Sequence, residues 1–169
     1  MIIFARMHMN NFQEKLKIGE NFENNYVLPL LLDMHPEYWI EATHDYKTGN
    51  YAGPKIHKLN TNPITLPDFK LHNPANSHRI MYEAKYKSKA FSIAGHYRSK
   101  FVAIELTKVK EYQQAAQIFS SDLKFVIGCQ ETGSIHICQD WIHHYFNNTH
   151  YTGTVCAFEL NDQNKAANL

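Results

Sequence analysis

Ile64-Thr65-Leu66-Pro67-Asp68-Phe69-Lys70-Leu71 and Arg79-Ile80-Met81-Tyr82-Glu83-Ala84-Lys85-Tyr86, with the turn-forming run Asn73-Pro74-Ala75-Asn76-Ser77 between them, decide how this chain is read. Both flanking segments carry β-branched or large apolar residues and read as strands, and the intervening run makes them a hairpin. Residues i and i+2 of a strand share a face, so Glu83 and Lys85 point the same way. Pairing of the two strands sets Asp68 beside them. Two carboxylates at one point form a hard, oxygen-rich site suited to Mg²⁺. The lysine next to them can orient a water or offset charge on a phosphate.

Around this hairpin the charge is uneven. The chain carries 17 Lys/Arg and 16 Asp/Glu, a net charge of only +1. From Arg79 to Lys110, however, eight Lys/Arg stand against two Asp/Glu, a local +6. That block starts at the Glu83 strand and includes Lys87, Lys89, Arg98, Lys100, Lys108 and Lys110. A basic block can be a solvated surface. Beside two carboxylates and a lysine it reads instead as a set of phosphate contacts, which supply most of the affinity of a protein for DNA.

The remaining composition bounds the answer. A length of 169 residues, 44% of them hydrophobic and 20% charged, is expected to form one globular domain spanning 1–169. The longest apolar run, Tyr26 to Leu32, is broken by Pro29 and is far short of the ~20 residues of a membrane span. With no secretory signal pattern at Met1 to Arg6, a cytoplasmic location is expected. Cys129, Cys138 and Cys156 lack metal or redox spacing and read as reduced, buried thiols. Among the eleven histidines there is no H-x-x-x-H pair, and no Gly-rich phosphate loop or G-x-S-x-G elbow is present.

Helical spacing of Phe12, Leu16, Phe22, Tyr26, Val27, Leu30 and Leu31 predicts a first helix over about Asn11 to Leu32, with Asn10 or Asn11 as its cap and Pro29 kinking or ending it. Tyr38 to His44 reads as a strand, and Asp45 to Pro54 as a long loop carrying Lys47. Phe101 to Leu106 is either a short buried strand or the lead into a second helix, capped at Thr107 and running through Val109, Tyr112, Ala115, Ala116, Ile118 and Phe119. Its polar face offers Gln113, Gln114 and Gln117. Strands are expected at Leu123 to Cys129, Ser134 to Cys138 and Thr154 to Leu160, with a short helix at Trp141 to Asn147 and frayed residues from 161 to 169.

The Pro67-Asp68 followed by Glu83-Ala84-Lys85 resembles the PD-(D/E)XK nuclease superfamily, and the order of the flanking elements fits it. The resemblance implies an α/β fold with a restriction-endonuclease-like core: a central mixed β-sheet flanked by helices in the order αβββαβ. It also implies a Mg²⁺-dependent deoxyribonuclease, cutting within DNA rather than from its ends and leaving a 5′-phosphate and a 3′-hydroxyl. On this resemblance Asp68, Glu83 and the carbonyl of Ala84 ligate Mg²⁺, for which Mn²⁺ substitutes. Lys85 positions the attacking water, and Glu23 on the first helix, with Glu20 in reserve, assists a second ion or a bound water. Lys87, Lys89, Arg98, Lys100, Lys108 and Gln113 become DNA contacts, and a homodimer is possible. The rival reading is a non-catalytic DNA-binding or structural module in which Glu83 and Lys85 are an ordinary same-face ion pair.

Overall fold

The computed structural model describes residues 13–44, 54–58, 61–96, 98–147 and 151–169. The first helix, α1, runs from residue 13 to 34, beyond the expected end at Leu32. Its middle, Glu23–Val27, is wound as a π-helix, with the Leu28 amide donating to the Glu23 carbonyl, and its last part is the α-helical Leu28–Met34. Pro29 explains the irregularity. It has no N–H to give and its ring crowds the preceding turn, and a widened turn upstream absorbs the conflict without ending the helix. The cap expected at Asn10 or Asn11 and the loop carrying Lys47 lie outside the described residues.

The strands are β1 (Trp39–Ala42), β2 (Lys55–Ile56), β3 (Ile64–Thr65), β4 (Phe69–His72), β5 (Arg79–Lys87), β6 (Lys100–Glu105), β7 (Asp122–Cys129), β8 (Ser134–Cys138), β9 (Ile142–Asn147), β10 (Thr152–Leu160) and β11 (Lys165–Asn168); helix α2 is Leu106–Ile118. The main sheet has six strands in the order β1-β4-β5-β7-β8-β11. Only β5 and β7 are parallel within it, because the chain crosses between them through α2. Helix, antiparallel β1-β4-β5, crossover helix and parallel β7 reproduce the expected αβββαβ order, with β6 inserted before α2. The fold is thus α/β with a central mixed sheet.

The β4–β5 hairpin forms as its turn residues require. Asn73 Oδ1 accepts from the Ala75 amide at 2.9 Å, and the Asn73 amide donates to the His78 carbonyl at 2.9 Å. Proline interrupts the first expected strand, leaving Leu66 to Asp68 as a link between β3 and β4. Alternation along β5 then builds two cores. Ile80, Tyr82 and Ala84 pack with Phe22, Val27 and Leu31 of α1. The opposite face of the sheet packs through Phe125, Ile127 and Cys129 against Val109 and Tyr112 of α2 and against Val102, Ile104, Cys156 and Phe158. These last four belong to a three-stranded sheet, β6-β10-β9. The three cysteines are free and buried.

Three local expectations give way. The helix expected at Trp141 to Asn147 is the strand β9, paired with β10 from Ile142↔Ala157 to Asn147↔Thr152. His144 and Phe146 alternate with exposed His143 and Tyr145, and both inward rings meet Phe91, at 5.7 and 5.0 Å between centroids. A period of two, not of 3.6, governs this segment. Helix α2 begins at Leu106 without a side-chain cap, so Thr107 lies inside it. The residues expected to fray include β11, which pairs with β8, and Asn164 fixes it there. His136 Nδ1 lies 2.8 Å from Asn164 Oδ1, Asn164 Nδ2 donates to the Glu159 carbonyl at 2.6 Å, and the Ile137 amide donates to the Asn164 carbonyl at 2.8 Å.

Candidate active site

Asp68, Glu83 and Lys85 converge on the face of the main sheet that looks toward α2. Asp68 immediately precedes β4, next to the Phe69↔Tyr82 pair, which brings it alongside Glu83. The Ala84 amide donates to Asp68 Oδ2 at 2.8 Å, and Lys85 Nζ donates to Glu83 Oε1. The backbone of Asp68 is fixed from β1, whose following residue Thr43 donates its amide to the Asp68 carbonyl at 2.8 Å. Asp68 is 5% and Glu83 1% exposed. Buried carboxylates at this depth are rare without compensating charge.

Two residues missed by sequence reasoning complete the arrangement. His44 Nδ1 lies 2.9 Å from Asp68 Oδ1. Tyr112 of α2 covers Lys85, whose Nζ is 5.9 Å from the ring centroid. The signal for Tyr112 lay in the helical spacing, since it is on the buried stripe of α2 while neighbouring Gln113 is exposed. His44 carried no pattern in sequence, because a contact across 24 residues depends on strand pairing alone.

The electrostatics are unequal between the two acids. Burial works against ionised Asp68, yet the His44 hydrogen bond, the Lys85 charge and the Ala84 amide together hold its carboxyl below the usual range. Glu83 is pushed up to about 8, first by burial and then by the Asp68 charge, which Lys85 only partly offsets. Burial would lower the Lys85 ammonium, but Glu83 and Asp68 hold it well above its ordinary value. His44 is raised chiefly by its hydrogen bond to Asp68, and Glu23 adds to the negative field there. The Tyr112 hydroxyl also hydrogen-bonds Glu83 and works against its upward shift, while Glu83 Oε2 is buried without a close partner.

This donor set fits a hard divalent cation in its chemistry: all oxygen, net negative, with one carboxylate oxygen unsatisfied. Among the described residues no three His, Cys, Asp or Glu side chains converge tightly enough to enclose a metal by themselves. Two carboxylates and a carbonyl leave the rest of such an ion's shell to waters or other oxygen ligands. Glu23 is buried on α1, at the start of the π-turn, and its charge reaches His44 beside Asp68. Lys87 extends the Glu83 and Lys85 face of β5 by one more residue. Lys89 and Arg98 are exposed, Lys100 pairs with Glu131 at 3.5 Å and Lys108 with Glu111 at 2.9 Å.

No protein-family model and no curated protein matches the chain. Among solved structures it is similar to the Holliday junction resolvase Hjc of Archaeoglobus fulgidus, an archaeal hyperthermophile, at 10% identity and a TM-score of 0.42, over 82% of this chain and 88% of that one. At that score the likeness assigns neither residues nor activity to this chain, whose functional reading rests on its own geometry. Among the described residues no helix is long and apolar enough to cross a membrane.

Proposed function

We propose that this chain is a divalent-metal-dependent nuclease that hydrolyses phosphodiester bonds within DNA. The observation that carries the proposal is Glu83: an acid buried beside a second acid and pushed up to about 8 although Lys85 and Tyr112 both hydrogen-bond it, with Oε2 lacking a close partner. A cation at that oxygen relieves both the burial penalty and the repulsion. Asp68, Glu83 and the Ala84 carbonyl would hold Mg²⁺, with Mn²⁺ able to replace it. When bound, the metal supplies an acidified water and offsets charge building on the phosphate oxygens. Lys85 stands beside it to orient that water and share the phosphate charge, while His44 keeps Asp68 ionised and aligned. The Lys87 to Lys110 block supplies phosphate contacts that carry no sequence information.

The test is cleavage of supercoiled plasmid, linear duplex, single strand and four-way junction in Mg²⁺ or Mn²⁺, with EDTA and a folded Lys85→Ala variant as controls. Metal-dependent cutting that the variant lacks supports the reading; intact substrates in both metals with a folded wild type overturn it. One observation favours a second reading, a module that binds or supports without cutting: Lys85 already closes onto Glu83, as an ion pair needing no metal does. On that reading Mg²⁺ leaves the melting temperature unchanged and Asp68→Asn raises it by relieving repulsion.

A further inference from the structure

Lys85 belongs to two neighbourhoods. One is the acid cluster. The other is a cavity of about 520 Å³ between the two sheets, lined by Lys85 and Lys87 of β5, Ile104 and Glu105 of β6, Lys108 of α2, and the rings of Phe146 and Tyr151. That volume lies in the range of small-molecule sites, ~300–1,000 Å³. Its chemistry is divided. Lys85 and Lys108 are paired with Glu83 and Glu111, so Lys87, near Glu105, is the lining cation most available to an anion. Burial, and then the neighbouring Lys85 charge, hold the Lys87 ammonium below its ordinary value, an environment that an incoming anion improves. The opposite wall is aromatic: Phe146 and Tyr151 meet edge to face, 6.3 Å between centroids at 81°. Phe146 is held from behind by Phe91 and His144, at 5.0 and 4.7 Å, so its position is set before any ligand arrives.

An anion-favouring floor with a pre-positioned aromatic wall matches a nucleotide, with the phosphate at the lysines and the base on the rings. A base within a duplex is stacked on its neighbours and cannot enter. We propose that this cavity receives one unstacked nucleobase of the DNA strand whose phosphate lies at Lys85, so that the chain acts on DNA with an unpaired nucleotide next to the reacting phosphate. This rests on the nuclease reading for the phosphate at Lys85. The cavity itself makes a claim about binding that can be measured without cleavage. Base stacking on an aromatic side chain is worth ~1–3 kcal/mol per base by alanine substitution, or about five-fold to 150-fold in affinity.

The experiment measures, in EDTA and by fluorescence anisotropy, binding of short single-stranded oligodeoxynucleotides that differ only in the position of one abasic site. Wild type is expected to bind about ten-fold more weakly when the abasic site falls at one position, and Phe146→Leu, which keeps an apolar group in place but offers no ring, is expected to lose that sensitivity. Tyr151→Leu gives a second measure should Phe146→Leu fail to fold. Equal affinity for every abasic position, no binding to any oligodeoxynucleotide, or undiminished sensitivity in the folded variants overturns the proposal. Cleavage of the substrate panel in Mg²⁺ separates the two claims. A protein that cuts duplex but ignores abasic sites keeps the nuclease reading and loses the pocket, and one that senses the base but cuts nothing does the reverse.

Discussion

Two clusters of buried polar side chains lie on the same sheet, and they are built in opposite ways. On β8, Ser134 and His136 are each 4% exposed, and their side-chain polar atoms are hydrogen-bonded. Thr132 Oγ1 and Ser134 Oγ lie 2.6 Å apart, Ser134 Oγ and His136 Nε2 2.8 Å, and His136 Nδ1 donates to Asn164 Oδ1. Just before β4 and on β5, Asp68 and Glu83 are as deeply buried, yet the Asp68 charge and burial together oppose ionisation of Glu83, whose Oε2 lacks a close partner. The serine, histidine and asparagine resemble a hydrolytic triad in composition, but their hydrogen-bonding capacity is used up in tying β11 to the sheet. Satisfaction separates them: a closed neutral network holds a fold, and an open charged one calls for something the protein does not itself supply.

The strongest way to break this comparison is to remove a charge from the open cluster. Lys85→Ala and Asp68→Asn are each expected to lower cleavage by about 100-fold or more, the scale set by losing one preorganised electrostatic group, while circular dichroism shows the fold retained. His136→Ala, by contrast, should lower activity no further than its loss of stability explains. Equal losses at both clusters would remove the distinction drawn between them.

The pH dependence of stability sharpens it. Glu83 has a folded value of about 8 against an ordinary 4.5, so the folded state holds its proton more tightly than the unfolded one. That contribution is fully present below about 4.5 and is lost as pH rises through about 8. Raised His44 acts in the same direction. The metal-free protein should therefore lose stability, and melt at falling temperature, from about pH 5 to pH 8. Glu83→Gln should flatten the curve, as should excess Mg²⁺. A melting temperature that rises through this window in the metal-free wild type would show that Glu83 is not held protonated.

The closed network answers to stability alone. Asn164→Ala takes one hydrogen-bond partner each from His136 and the Glu159 carbonyl, and a loss of about 1–3 kcal/mol is expected in urea unfolding, the same with and without Mg²⁺. A comparable loss should follow Gly128→Ala for a steric reason. An added Cβ would stand 2.4 Å from Cε2 of Phe22, forcing α1 off β7 at a penalty of about 1–3 kcal/mol. Because Glu23 follows Phe22 directly, Gly128→Ala also tests whether the seating of α1 matters to cleavage.

What the sequence made legible follows from the range of each interaction. Asp68, Glu83 and Lys85 could be brought together on paper because a hairpin and a period of two are local rules, and the turn at Asn73 to Ser77 announced the hairpin. The buried stripe of α2 was equally local. His44 was not legible, since only the pairing of β1 with β4 brings it to Asp68. Nor was β11: Lys165 to Asn168 have no apolar pattern, and what holds them is Asn164, a polar anchor reaching across to His136. Strand β9 was misread because its two outward histidine and tyrosine positions, His143 and Tyr145, hide the alternation that inward His144 and Phe146 obey. The Phe146 and Tyr151 wall was therefore lost with it.

The smallest expected effect is on the rim. Lys108 pairs with Glu111 three residues on, at 2.9 Å, and its side chain is about half exposed, so the pair contributes under ~1 kcal/mol to the fold. Lys108 nonetheless lines the cavity beside Lys87. Lys108→Ala should leave the urea midpoint nearly unmoved while weakening DNA binding and lowering the salt slope of log affinity by about 1, as the loss of a single phosphate contact does. The analogous change at Lys100, which is paired with Glu131 and does not line the cavity, should lower that slope less. Equal slopes for the two variants would mean that the basic block attracts DNA as a diffuse field, and the division between a defined site and its surroundings would end at Lys85.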